Sequence, residues 1–184
     1  SEINMDSLHF IQRSNIPASL DSTLYWSSVE TILNDSTSSV ALGHLRMASS
    51  GANSIPNPHP WVFYMSGKSF SLIHNGTVNK NILYNLLTDD GNDISWLDSY
   101  SPNTFGGGDW KDSGWENVVD SELILLLVMQ HYHLNGDDLV SGLQSSLSKL
   151  INAGVSANQL NMIISDGEAM YAFGGSGRLS FAES

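Results

Sequence analysis

The chain has 184 residues, enough for one domain with a sizeable core, and its 41% hydrophobic and 14% charged content is that of a folded globular protein, which excludes a disordered one. Seven basic against 19 acidic residues give a formal charge of −12, so nucleic acid and anionic membrane surfaces are excluded as partners, because both require compensating positive charge. With no cysteine, the chain forms no disulfide, no Cys-ligated zinc site and no catalytic thiol of its own.

The elements are taken in chain order. The start, Ser1 to Asp6, lacks the basic and apolar stretches of a signal peptide. Leu8 to Ile11 reads as a short strand, and Ser22 to Leu33 as a helix with Leu24, Val29, Ile32 and Leu33 on its apolar side. Asp35 to Ser38 is a polar turn. Ser39 to Arg46 reads as a buried strand with polar groups at its end, and Ser49 to Pro60, with three prolines and Gly51, as a loop. Trp61 to Met65 and Ser69 to His74 are strands joined at Ser66-Gly67-Lys68, and Asn75-Gly76 is a turn dipeptide.

Asn79 to Leu87 reads as a short helix. Thr88 to Val118 is a long polar stretch carrying Trp96, Trp110 and Trp115, and its length points to a functional loop that covers a pocket and selects a substrate. Ser121 to Tyr132 is a helix apolar on most sides, with Asp120 and Ser121 as N-cap candidates. Asp137 to Ala153 is amphipathic, with Leu139, Leu143, Leu147 and Leu150 on one face. Gln159 to Ser165, Ala169 to Phe173 and Arg178 to Phe181 are strands, with a tight turn at Asp166-Gly167. Strands and helices come in blocks, which favours antiparallel sheets with helical layers over a doubly wound fold. No apolar run approaches the roughly 20 residues that span a bilayer.

Four polar clusters carry chemistry. Arg46, ending a buried strand, calls for an anion, and its planar guanidinium suits a carboxylate; an internal salt bridge is the alternative. Asn57-Pro58-His59-Pro60-Trp61 holds an imidazole between two prolines and by itself reads as a rigid turn. At Ile73-His74-Asn75-Gly76-Thr77 a strand ends in an amide followed by glycine; an Asn side chain and a Gly backbone N–H can donate together to one developing oxyanion, though the same dipeptide also makes plain turns. Asp120-Ser121-Glu122 opens an apolar helix, where Asp either caps the helix or binds a ligand ammonium group. His44, His59 and His74 are too widely spaced for a zinc motif, so no metal or other cofactor is expected.

In order, His44-Leu45-Arg46-Met47-Ala48-Ser49, Asn57-Pro58-His59-Pro60-Trp61, His74-Asn75-Gly76 and Asp120-Ser121-Glu122 resemble the class II glutamine amidotransferases, specifically the compact bacterial branch. The resemblance covers nearly the whole chain, including Phe10 to Tyr25 and the later strand pair Ile163 to Ala172. It implies a single α+β domain over residues 1–184, a four-layer αββα N-terminal-nucleophile sandwich that looks cut at both edges. Arg46 would bind the α-carboxylate of glutamine and Asp120 its α-ammonium. Ser49 and Ser50 would line the pocket, and Asn75 with Gly76 would form the oxyanion hole. His44, His59 and His74 would orient loops.

Family members hydrolyse the side-chain amide of glutamine through a thioester on an N-terminal cysteine whose free α-amine is the base. This chain departs there, having no cysteine; Ser1 is a poor substitute, because it precedes a strand that lies well downstream of the nucleophile in the family. Two functions follow: an amidohydrolase acting on glutamine or a γ-glutamyl compound, or a catalytically inactive module that binds glutamine or a related amino acid. The expected partner is that small molecule, with a synthase or a second copy of the chain as the assemblies left open, and the expected compartment is the cytoplasm.

Overall fold

Trp61–Met65 (β1), an unbroken apolar run, and Lys68–Asn75 (β2) pair antiparallel across a two-residue turn, Trp61 opposite Leu72 and Phe63 opposite Phe70. Ser66 and Gly67 both have positive φ, 52° and 77°, as the tightest hairpin turns require. This hairpin belongs to a computed structural model that describes residues 11–14, 16–35, 41–45 and 59–175. Asn161–Ser165 (β3) adds to β2, and Met170–Phe173 (β4) adds to β3, giving one antiparallel sheet in the order β1-β2-β3-β4.

The helices are Ser22–Asn34 (α1), Lys80–Thr88 (α2), Ser95–Ser99 (α3), Asp120–Leu134 (α4) and Leu139–Asn152 (α5). The protein is therefore mixed α+β, with a sheet and helices segregated into layers. One face of the sheet presents Trp61, Phe63, Phe70, Leu72, Met162 and Ile164 to the core, where α4 packs across β1 and β2. α4 is apolar nearly all round because it is covered on several sides, by the sheet, α2 and α5. α5 approaches it closely at Gly142, where a Cβ would sit 2.7 Å from the Tyr132 nitrogen. The buried Leu139, Leu143, Leu147 and Leu150 form the predicted face of α5. The other face of the sheet is less covered: Val62, Ile73 and Ile163 are half-buried, and Tyr64 and Ala172 are exposed.

Several expectations need correction. Residues 41–45 form no strand, and Leu45 is 81% exposed. A strand needs a neighbouring strand to satisfy its backbone groups, and among the described residues none lies along this segment. α1 forms where expected, but it contributes no buried residue, and Leu33 is exposed. Asn75 is the last residue of β2, and the turn expected at Asn75-Gly76 leads from the strand toward α2. Asp166-Gly167 belongs to a longer connection, in which the Asp166 carboxylate accepts from the Glu168 and Ala169 N–H groups. Thr88 to Val118 is not structureless. It contains α3 and a 3-10 turn at Trp115–Asn117, and Trp96 donates its indole N–H to the Leu126 carbonyl at 3.1 Å, so that ring is packing against α4. The strands expected at 8–11 and 178–181 lie outside the described residues, apart from Ile11, which has no regular structure.

Candidate functional site

β2 ends beside the start of α4, and two side-chain bonds join them. His74 points from β2 into the core, 3% exposed. Its Nε2 lies 2.7 Å from the Gln159 carbonyl, which can only accept, so Nε2 carries a proton. Burial lowers the His74 pKa, which favours the neutral ring, so Nδ1 accepts from the Ser121 hydroxyl at 2.9 Å. Four residues on, the Val78 N–H donates to the Asp120 carboxylate at 2.9 Å. Asp120 is the first residue of α4 and not its cap; Val119 stands at the cap position without a side-chain bond. The carboxylate serves a backbone N–H of the neighbouring connection instead, and also lies at the positive end of the helix dipole.

Between His74 and Val78, Gln159 braces the turn. Its side-chain oxygen accepts from the Thr77 N–H at 2.9 Å, and a Cβ on Gly76 would stand 2.0 Å from its carbonyl oxygen. Gly76 is therefore required by backbone approaching backbone. Asn161 donates to the Asn75 carbonyl at 3.3 Å and fixes the last rung of the β2–β3 ladder. Among the described residues, the Asn75 side-chain amide and the Gly76 N–H have no hydrogen-bond partner, and Asn75 is exposed.

An aromatic row borders this turn. His44 Nε2 donates to the His74 carbonyl at 3.1 Å, and the His44 and His59 rings lie tilted against each other with centroids 4.1 Å apart. Trp61 stands edge-on to His59, and Phe105 stacks on Trp61 at 6.0 Å. Phe105 belongs to a segment anchored at Asn103, whose backbone N–H donates to Glu122 at 3.0 Å and whose side-chain amide donates to the same carboxylate. Burial pushes the Glu122 carboxyl up to about 7 against the pull of those two bonds. Lys80 closes the other side, its ammonium donating to the carbonyls of Trp115, Val118 and Glu116 at 2.6, 2.9 and 3.3 Å.

Of the residues singled out from sequence, His44, His59, His74, Asn75, Gly76 and Asp120 thus fall in one region of the fold. Arg46, Ser49 and Ser50 lie outside the described residues. Gln159, Asn103 and Glu122 in its clamping role were not foreseen. Among the described residues there is no group of three or more His, Cys, Asp or Glu side chains placed to hold a metal ion, and no helix is long and apolar enough to cross a membrane. No protein-family profile, curated protein or solved structure matches the chain.

Proposed function

We propose that this chain carries the glutamine-binding and oxyanion-holding half of a class II glutamine amidotransferase-like amidohydrolase, with an αββα sandwich fold. The observation that supports this reading is the pair of donors without a partner among the described residues, the Asn75 amide and the Gly76 N–H, in a turn braced by Gln159 and followed by the Val78 bond to Asp120. Two donors fixed in advance around one point stabilise a developing negative oxygen without reorganising during reaction. Asp120 is the acidic group beside them for the α-ammonium of an amino acid, and Arg46 supplies the matching cation for its α-carboxylate. The half-covered outer face of the sheet, with Val62, Ile73 and Ile163, is suited to a second sheet layer.

The substrate is glutamine or a γ-glutamyl compound, whose side-chain amide is cleaved with release of ammonia or an amine. The 184 residues contain no thiol, so they bind and polarise the amide and do not attack it. The same absence favours, as the second reading, a module that holds the amino acid without chemistry.

Calorimetric titration of the chain with L-glutamine tests the site. Saturable binding is expected, weakened about tenfold or more by Asp120→Asn, which keeps the acceptor for Val78 but loses the charge. No saturable binding overturns the site. An ammonia-release assay on the native protein then separates the two readings, since only the enzyme turns glutamine over.

A further inference from the structure

Gln159 makes three separate contacts with the four-residue stretch from His74 to Thr77. Its backbone carbonyl takes the His74 ring proton at 2.7 Å, its side-chain oxygen takes the Thr77 N–H at 2.9 Å, and its main chain lies against the α-carbon of Gly76. The contacts fall on both sides of Asn75 and on Gly76 itself. They span 82 to 85 residues of sequence, so they are tertiary and are not part of a local turn. Gln159 is held in turn by the 3-10 turn Ala157–Gln159, by its own amide donating to Asn158 at 3.2 Å, and by Asn161, which donates to both Asn158 and Asn75.

A turn of this kind offers three consecutive polar positions, the Asn75 amide, the Gly76 N–H and the Thr77 N–H. The Gln159 side-chain oxygen occupies the third of these, the Thr77 N–H, and so takes it out of reach of a ligand. An oxyanion hole works through placement within a fraction of an ångström, because a donor that must move into place gives up much of its effect. A side chain that rigidly occupies the third donor sets the direction of the other two.

We propose that Gln159 is the positioning residue of the oxyanion turn: by accepting from Thr77 and abutting Gly76, it orients the Asn75 amide and the Gly76 N–H toward the substrate oxygen. The inference rests on the amidohydrolase reading for its catalytic meaning. Gln159 touches no substrate. Its side chain acts through Thr77, and its effect is felt where charge develops, in the transition state.

The test is steady-state hydrolysis of L-glutamine by the native protein, with Gln159→Met and Gln159→Glu, alongside amide hydrogen exchange at Thr77. Gln159→Met keeps the side-chain length and removes the acceptor. It is expected to lower kcat about tenfold with KM within about twofold, since the lost orientation matters only as the oxyanion forms. Thr77 should exchange about tenfold or more faster. Gln159→Glu retains an acceptor oxygen and is expected to restore most of kcat and the Thr77 protection. A change in KM alone, an unchanged kcat in Gln159→Met, or an equally protected Thr77 overturns the proposal. If the wild-type protein does not hydrolyse glutamine, whether or not it binds it, the catalytic role of Gln159 is overturned, and if it does not bind glutamine either, the proposed site falls with it; Thr77 exchange reports separately whether the brace exists.

Discussion

His74 Nδ1 lies 2.9 Å from the Ser121 hydroxyl, and this buried bond joins the end of β2 to the first turn of α4 across 47 residues of sequence. Ser121 has no room for water to replace it, being 4% exposed. Ser121→Ala should therefore strand a buried acceptor and cost about 1–3 kcal/mol in urea unfolding, while Ser121→Thr, which keeps the hydroxyl, should cost less. The His74 pKa gives a second readout. Burial holds it below the ordinary histidine value, so the unfolded chain binds the extra proton first as pH falls. The stability contributed by neutral His74 is complete above that ordinary value and is lost as pH falls through it toward the folded pKa.

Gly76→Ala tests the close approach to Gln159 directly. The new Cβ would lie 2.0 Å from a backbone oxygen and 2.5 Å from its carbon, so no side chain can rotate away, and the turn itself must shift. The expected cost is about 1–3 kcal/mol, with loss of glutamine binding. Gly67→Ala, in the β1–β2 turn, is the informative contrast. Its Cβ would meet nothing within 4 Å, and only its φ of +77° opposes the change. That substitution should cost roughly 1–2 kcal/mol and leave ligand binding unchanged. Equal binding losses in the two variants would show that Gly76 matters only to the fold.

Much of this arrangement was legible in the sequence, for reasons that particular residues make plain. The leucines of α5 at positions 139, 143, 147 and 150 repeat with helical spacing, and β1 and β2 are short apolar, aromatic-rich runs on either side of a Gly-containing turn, so the local sequence is enough to place both. Of the two roles open to Asp120, the cap is not taken, because a cap is a contest between local and distant donors. The Val78 N–H, 42 residues away, takes the carboxylate, and nothing near Asp120 announces that. Gln159 carried no signal for the same reason, being one polar residue in a polar stretch whose partners lie on another strand. The supposed strand at 39–46 rested on apolar composition alone, and composition does not supply the neighbour a strand must pair with. Asn75 and Gly76 were legible as a pair of possible donors at a strand end, with a plain turn as the alternative, and the structure adds the Gln159 contacts that brace the turn around them.

Lys80→Met should loosen the segment before α4 without disturbing the core. The ammonium donates to three carbonyls of Trp115, Glu116 and Val118 and lies 5.2 Å from the centre of the Trp115 ring. Methionine keeps the apolar stem and removes all three charged donors. Hydrogen bonds to charged groups contribute more than neutral ones, so a loss of about 2 kcal/mol is expected. Hydrogen exchange should accelerate from Trp115 to Val118 while α5 remains protected. Uniform acceleration across both regions would mean that the ammonium supports the whole fold.

Glu122 gives the sharpest dependence on pH. Its carboxyl accepts from both the backbone and the side chain of Asn103, yet burial outweighs these bonds and raises its pKa from 4.5 to about 7. Between those two values the folded protein holds a proton that the unfolded chain has released, so raising the pH disfavours the folded state. The contribution of protonated Glu122 is full below 4.5, declines as pH rises toward about 7, and is gone above it. A displacement of this size corresponds to on the order of 3 kcal/mol. Glu122→Gln cannot ionise, so the stability difference between wild type and variant should move by that order across the interval, favouring the variant at the alkaline end. His74 acts with the opposite sign but is present in both proteins, so it cancels in the difference. Paired urea titrations across the interval measure that difference. A flat difference would mean that Glu122 ionises normally, and that the two Asn103 bonds hold a fully charged carboxylate against the burial around it.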